Sequence, residues 1–191
     1  MELRDATIQE LAVSMQSGAM TSKDLVEAFR QVIASDDGAF NAIAFPNPDA
    51  EMIADALDCE RAEGRVRGPL HGVPILIKDN LNTGDTMMTS AGSLALDGSI
   101  APADSHVVAR WRNAGAVVLG KTNLSEWANF RSARPSSGWS SRGGQVRNAY
   151  ALDRSPGGSS SGSAVATARG YCAGAVGTET DGSIVGPSAM N

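Results

Sequence analysis

The sequence predicts an α/β protein whose sheet is largely parallel and flanked by helices. Two short, continuous apolar runs, Ile75–Ile77 and Ala116–Leu119, are typical of strands that are buried on both faces. Between these runs, apolar residues recur at helical spacing from Val107 to Trp111, and the segment ends at Gly115. Strand, helix and strand in this order favour a crossover unit, in which neighbouring strands run parallel.

The first sixty residues predict a helical layer. Thr7–Glu10 and Thr21–Asp24 each begin with a hydroxyl and carry a carboxylate three residues later, which is the form of a capping box. A short strand is predicted at Asn41–Phe45. A third helix is expected to start at Asn47-Pro48, because proline is tolerated in the first helical turn. The expected buried face of that helix consists of Met52, Ile53, Ala56, Leu57 and Cys59.

Length and composition limit the class of protein. A chain of 191 residues suits a single domain, with a helical layer over about 5–65 and an α/β portion over about 66–191. The net charge of −5 and the absence of a basic stretch argue against nucleic-acid binding. The chain has no apolar run of membrane-spanning length and no signal-peptide pattern, so we expect a cytoplasmic protein with no membrane partner. Cys59 and Cys172 are expected to be reduced core residues.

Residues 155–183 are rich in glycine and serine, which is typical of a flexible linker. However, the run continues directly into an apolar, helix-compatible segment at Ala164–Ala168 and a second apolar segment at Ala173–Val176. A linker rarely leads straight into segments that form a core. The alternative is a loop whose glycines let backbone N–H groups converge on a reacting atom while its serines carry out chemistry.

Several kinds of site can be set aside from the residues. Two histidines and two cysteines, none at ligand spacing, argue against a metal site, and no cofactor motif is present. A phosphate-binding glycine loop is disfavoured because the glycine-rich run lacks the lysine that ends a P-loop. His71 lies in a turn and His106 inside a predicted helix, so both fit structural positions better than a Ser-His-Asp triad.

A serine with a lysine base remains. Serine is a weak nucleophile at neutral pH and needs a partner that accepts its proton. Lysine can be that partner when burial favours its neutral amine. Lys78 follows the buried run Ile75–Ile77 directly and is placed for such burial. Considered alone, a lysine just past a strand end more often extends its ammonium into solvent, so spacing by itself leaves the question open.

Three stretches together resemble the amidase signature family. They are H-G-V-P-I-L-I-K-D-N at 71–80, S-P-G-G-S-S-S-G-S-A-V-A at 155–166 and G-T-E-T-D-G-S-I at 177–184. Shorter stretches at 89–93 and 120–127 also look like family sequence. The resemblance runs from about residue 5 to the last residue, and its form is closest to the peptide amidase-like subgroup.

The resemblance implies an amidase fold and a set of roles. Ser183 would attack the amide carbonyl, Lys78 would be the general base, and Ser159 would relay the proton, with a cis Gly158–Ser159 peptide bond. Ser160 would support the relay. The oxyanion hole would be built from backbone N–H groups of Thr180, Asp181 and Gly182, together with Ser183. The implied partner is a small-molecule or peptide amide, with no cofactor and no metal, and the oligomeric state is left open.

The sequence departs from the family pattern in two ways. Asp181 stands where many members have glycine, and Val185 stands where many have arginine. The family's catalytic domain is also normally more than twice as long as this chain. We therefore expect the N-terminal portion of an amidase domain, and keep as an alternative a catalytically inactive fragment or pseudoenzyme that lacks the rest of the pocket.

Overall fold

The computed structural model describes residues 3–191, which form a mixed four-stranded sheet with helices packed on both faces. Three short 3₁₀ helices accompany the regular elements, at Leu3–Asp5, Leu94–Leu96 and Glu126–Asn129. The regular elements in chain order are α1 (Ile8–Gln16), α2 (Ser22–Phe40), β1 (Ile43–Pro46), α3 (Ala50–Ala62), β2 (Pro74–Lys78), α4 (His106–Asn113), β3 (Val117–Thr122), β4 (Trp139–Ser140), β5 (Gly144–Gln145), α5 (Ser161–Ala168), β6 (Ala175–Val176) and α6 (Val185–Met190).

The sheet confirms the predicted α/β class. Its strand order is β1-β3-β2-β6, with β2 parallel to both β3 and β6 and β1 antiparallel at one edge. Residues of β2 alternate between two cores. Leu76 packs in the larger cluster with α1, α2 and α3, whereas Ile75 and Ile77 pack with Met87 and Val108 on the other face. A parallel sheet covered on both faces explains why the strands read as continuous apolar runs.

The two capping boxes predicted at the start of the chain are present. Thr7 and Thr21 each accept the backbone N–H of the residue three positions later, and the carboxylates of Glu10 and Asp24 accept the return bond. These bonds satisfy N–H groups that a helix start would otherwise leave unpaired. Helix α2 ends at Phe40 and is followed by Asn41, whose backbone adopts the left-handed conformation.

The third helix corrects two expectations. It begins at Ala50 instead of Pro48, because the Asn47 side chain accepts the Asp49 N–H and forms a turn first. Its buried residues are Ala50, Ala54 and Leu57. Residues Met52, Ala56 and Cys59, predicted to be buried, are exposed. The buried face is therefore rotated away from the predicted one.

The cysteines are both free, so the prediction of reduced thiols is confirmed, but the expected core position is right for Cys172 alone. Over residues 3–191 the structure has no cluster of metal-ligating side chains. In the same range no helix is both apolar and long enough for a bilayer span. The segment between β3 and α5 contains the small antiparallel β4–β5 pair, which the sequence did not predict.

Candidate active site

Lys78 lies at the carboxyl end of the central strand β2 and is completely buried. Its ammonium donates hydrogen bonds to Ser159 Oγ at 2.8 Å, Ser160 Oγ at 3.0 Å and Thr178 Oγ1 at 2.9 Å. It also contacts the Thr178 carbonyl at 3.3 Å. The alternative in which this lysine extends into solvent is wrong. The serine loop reaches this end of β2 because helix α5 starts from the loop and leads back to β6, which runs parallel to β2.

Burial determines the charge of this lysine. Within residues 3–191 the hydrogen-bond partners of its Nζ are all neutral hydroxyl and carbonyl oxygens, and none of them is a carboxylate that could offset the cost of desolvating an ammonium. Burial therefore lowers the pKa of Lys78 to about 8. A lysine in this state has a substantial neutral fraction near physiological pH and can accept a proton from a hydroxyl.

The Gly/Ser run is a packed part of the fold. Ser159, Ser160 and Ser161 are buried, and α5 starts directly within the run. The Gly158–Ser159 peptide bond is cis, as the resemblance implies. The Ser159 carbonyl accepts the Ser125 N–H at 3.1 Å. A side chain at Gly158 would come within 2.4 Å of the Ser125 hydroxyl oxygen. The linker interpretation is therefore wrong.

Thr178 is a member of the site that the sequence did not single out. Its hydroxyl accepts hydrogen bonds from Lys78 Nζ and, at 2.9 Å, from Asn80 Nδ2. Its carbonyl accepts the Ser160 hydroxyl at 3.0 Å, and its N–H donates to Ser160 Oγ at 3.2 Å. Thr178 thus connects Lys78, Asn80 and the serine loop. Its place in the G-T-E-T motif is the signal by which it could have been found.

Ser183 lies beside this cluster and is connected to it through the backbone. Its carbonyl accepts the Ser160 N–H at 3.0 Å, and the residue is half-buried. In the described part of the chain its hydroxyl is not among the hydrogen-bond partners of Lys78. The fold therefore joins Lys78, Ser159 and Ser160 directly and places Ser183 at the open side of the group.

The turn before Ser183 is organised by Glu179, a second residue that the sequence did not single out. The Glu179 carboxylate accepts the N–H groups of Gly182 at 3.0 Å, Ile184 at 2.6 Å and Val185 at 2.8 Å. These bonds lower the pKa of Glu179, with the bond from Val185 as the largest cause. Thr180, Asp181 and Gly182, named as oxyanion donors, lie on the exposed side of this turn, and the Gly182 N–H is bonded to Glu179.

A cleft of about 390 Å³ opens at the segment that follows Lys78. Asn80, which is bonded to Thr178, forms part of its wall, and Thr89, Leu124 and Trp127 form other parts. The Asn80 Oδ1 atom is buried and has no hydrogen-bond partner within residues 3–191. A buried acceptor without a partner is costly unless a ligand donates to it. The cleft wall thus combines apolar residues with the Asn80 amide, whose Nδ2 is bonded to Thr178 and whose Oδ1 is free within residues 3–191.

Comparison with known proteins gives the same family as the motifs. The family model for Amidase matches residues 24–191. A Schizosaccharomyces pombe protein named as a putative amidase is 50% identical over 189 residues, covering 99% of this chain and 32% of the relative. An Arabidopsis thaliana protein named as a probable amidase is 45% identical over 191 residues, covering 99% of this chain and 37% of the relative.

Solved structures agree with the sequence comparisons. The native peptide amidase of Stenotrophomonas maltophilia superposes with a TM-score of 0.94 at 54% identity, covering 97% of this chain and 38% of that one. An amidase family protein from Bacillus anthracis gives a TM-score of 0.93 at 39% identity, covering 98% and 38%. The chain spans 32–38% of the length of these relatives. By its motifs, its fold and the match over most of its length, the chain belongs to the amidase family.

Proposed function

We propose that the protein hydrolyses a carboxylic amide through an acyl-enzyme on Ser183, with Ser159 and Lys78 as relay and base. The observation that carries the proposal is the 2.8 Å hydrogen bond between Lys78 Nζ and Ser159 Oγ, made by an amine whose hydrogen-bond partners within residues 3–191 are all neutral oxygens. A neutral amine in that position can accept the Ser159 proton. Ser159 can in turn accept the proton of Ser183, whose backbone is bonded to the adjacent Ser160.

The proposed reaction has two halves. In the first, Ser183 Oγ attacks the amide carbon and its proton passes through Ser159 to Lys78. The tetrahedral intermediate collapses when Lys78 returns the proton to the amide nitrogen, so that the C–N bond breaks and amine or ammonia leaves. In the second, water attacks the ester carbon by the same route and releases the acid.

The turn that carries Ser183 is the proposed source of oxyanion stabilisation. Backbone N–H groups of Thr180, Asp181, Gly182 and Ser183 are the candidate donors. Glu179 holds the neighbouring N–H groups of Ile184 and Val185, which fixes the direction of the turn. The Gly182 N–H is already bonded to Glu179. The backbone N–H groups that remain for an oxyanion are therefore those of Thr180, Asp181 and Ser183. Each donor in such a site typically contributes about 3–4 kcal/mol.

The proposed substrate is a small-molecule or peptide amide. The cleft of about 390 Å³ beside Asn80 is large enough for one or two residues of a peptide. The similarity to the peptide amidase of Stenotrophomonas maltophilia favours a peptide amide among the candidates. We also propose that residues 1–191 are one portion of a single amidase domain.

A panel of primary amides, including C-terminally amidated peptides, tests the proposal. We expect ammonia release and a Ser183 acyl adduct in the mass spectrum of the quenched protein. Both should be lost in Ser183→Ala and retained in Ser35→Ala, which removes an exposed hydroxyl on α2. A folded protein that gives neither product nor adduct would instead support the non-catalytic alternative.

A further inference from the structure

The oxygen atoms around the Lys78 amine differ in whether they can donate a hydrogen bond to it. Within residues 3–191, Nζ has four oxygen partners, which are the hydroxyls of Ser159, Ser160 and Thr178 and the Thr178 carbonyl. An ammonium donates three N–H groups to such partners, whereas the neutral amine keeps two and gains a lone pair. For Lys78 to accept the Ser159 proton, that lone pair must be directed at Ser159 Oγ.

Ser160 can only accept a hydrogen bond from the amine. Its hydroxyl donates to the Thr178 carbonyl at 3.0 Å, and its Oγ accepts the Thr178 N–H at 3.2 Å. A hydroxyl has one hydrogen and two acceptor positions, so one acceptor position remains. The 3.0 Å contact between Ser160 Oγ and Lys78 Nζ therefore requires an N–H group of the amine.

Thr178 receives the second N–H group of the amine. Its carbonyl oxygen is 3.3 Å from Lys78 Nζ and can only accept, and its Oγ1 is closer, at 2.9 Å. Asn80 Nδ2 donates to the same Oγ1 at 2.9 Å and holds the threonine side chain in this position. Because a carbonyl oxygen would repel a lone pair, an N–H group of the amine is directed at Thr178.

Ser159 is then the partner that faces the lone pair. Both N–H groups of the neutral amine are committed to Ser160 and Thr178. In the part of the chain that the structure describes, Ser159 Oγ has no hydrogen-bond partner besides Lys78 Nζ, at 2.8 Å. The Ser159 hydroxyl hydrogen is therefore available to the amine.

The charged groups near this cluster are held by other partners. The Asp79 carboxylate accepts the N–H and hydroxyl of a serine, and the Glu179 carboxylate accepts backbone N–H groups of the turn that follows it. The Lys121 ammonium donates to a backbone carbonyl and a threonine hydroxyl, and Asp181 is exposed. Burial alone lowers the pKa of Lys78, so the orientation of its amine depends on the neutral partners.

We propose that Thr178 is a positioning residue for the base. Together with Ser160 it takes both N–H groups of the neutral amine, so that the lone pair is directed at Ser159. The inference rests on the proposed function, because it explains how the proposed base is oriented. The Ser183 proton reaches the amine only through Ser159, and a lone pair that points elsewhere cannot complete this relay.

The test is the pH profile of Ser183 labelling by a fluorophosphonate in variants of Thr178. Thr178→Val keeps the shape of the side chain and removes its hydroxyl. We expect the plateau rate at high pH to fall about tenfold, because the lone pair is less well directed. We also expect the midpoint to move down by about 0.5–1 pH unit, because an accepting hydroxyl stabilises the ammonium more than the neutral amine. Thr178→Ser retains the hydroxyl and should restore both values.

The two changes together distinguish orientation of the amine from structural damage, because damage slows labelling at every pH and does not lower the midpoint. Thr167→Val is the matched control. It removes a hydroxyl on helix α5 that is bonded to the Ser163 carbonyl, and it should keep the wild-type profile. Should Thr178→Val fail to fold by circular dichroism, Thr178→Ala removes the same hydroxyl and is expected to show the same two changes.

A folded variant without the Thr178 hydroxyl that keeps the wild-type plateau or the wild-type midpoint would overturn the role of Thr178. The same conclusion would follow if Thr178→Ser failed to restore the profile. Both results would leave the proposed function intact, because the wild type would still be labelled. A folded wild type without labelling would overturn the proposed function itself, and with it this inference.

Discussion

Lys78 Nζ and Ser159 Oγ are 2.8 Å apart although 81 residues separate them in the sequence. The fold brings the two residues together because β2 ends with Lys78 at the edge of the sheet where helix α5 begins. Thr178, which follows β6, completes the group from the next parallel strand. Three loops at one end of a parallel sheet therefore build a polar pocket around a single amine.

The reaction should be fastest above about pH 8, where the Lys78 amine is mostly neutral. Burial lowers the pKa of Lys78 to about 8, so the fraction of neutral amine rises as the pH passes through that value. We expect the labelling rate of Ser183 to increase about tenfold for each pH unit below 8 and to level off above it. Lys78→Arg should remove the rise, since a guanidinium stays protonated throughout this range. A wild-type rate that is flat between pH 6 and pH 9 would contradict a lysine base.

Ser160 is predicted to support the relay without being part of it. Its hydroxyl is bonded to Lys78 at 3.0 Å and to both the N–H and the carbonyl of Thr178. Ser160→Ala should lower the labelling rate roughly tenfold, which is equal to about 1.4 kcal/mol in activation free energy. Ser159→Ala should lower it by about 10³-fold or more. The labelling rate constants of both variants, from single-exponential fits, measure these two losses. A larger loss in Ser160→Ala than in Ser159→Ala would make Ser160 the relay.

Glu179 is predicted to orient the turn that carries Ser183. Replacement by alanine leaves the N–H groups of Gly182, Ile184 and Val185 without their acceptor. We expect Glu179→Ala to lower the labelling rate strongly, whereas Glu179→Gln retains one acceptor oxygen and should fall between the alanine variant and the wild type. Thermal unfolding of both variants gives the control for folding. Labelling of Glu179→Ala at the wild-type rate would rule out this role.

Gly162 tests whether the glycine-rich run is packed. A Cβ atom at this position would lie 2.4 Å from the carbonyl oxygens of Ala42 and Asn123, both of which are backbone atoms. Gly162→Ala should therefore reduce the free energy of unfolding by about 1–3 kcal/mol. Gly38→Ala is the matched control, because nothing lies within 4 Å of a Cβ there and the helix should gain about 0.4–1 kcal/mol. Urea titrations measure the free energy of unfolding of both variants. A Gly162→Ala variant as stable as Gly38→Ala would contradict close packing around Gly162.

Much of the fold could be predicted because its strands are buried on both faces. Continuous apolar runs mark β2 and β3, and the lysine that ends β2 is recognisable by its position directly after such a run. Lys121 also lies near the end of an apolar run, in strand β3. The face of the sheet on which it lies depends on a register irregularity between β2 and β3, which no local sequence pattern reveals. The start of α3 was predicted wrongly because a side-chain turn at Asn47 precedes the helix. Its buried face was predicted from apolar residues, but the helix packs through Ala50, Ala54 and Leu57.

The site was only partly accessible to sequence reasoning for a related reason. Lys78, Ser159 and Ser183 lie in three recognisable motifs, and the resemblance implied the cis bond at Ser159 that the structure contains. Thr178 acts through bonds to the side chains of Lys78, Asn80 and Ser160, which come from distant parts of the sequence. Glu179 acts through bonds to N–H groups of the turn that follows it. Both residues lie within a recognised motif, but which of its members make these bonds depends on how the loops meet in space.

The most direct test of whether Lys78 activates Ser183 is fluorophosphonate labelling of the folded protein, with the modified residue identified by peptide mass spectrometry. We expect a single adduct on Ser183, absent in Ser183→Ala and formed at least about 10²-fold more slowly in Lys78→Met. Ser35→Ala should label at the wild-type rate. An adduct on another serine, or labelling of Ser183 at an unchanged rate in Lys78→Met, would contradict a nucleophile activated by this lysine.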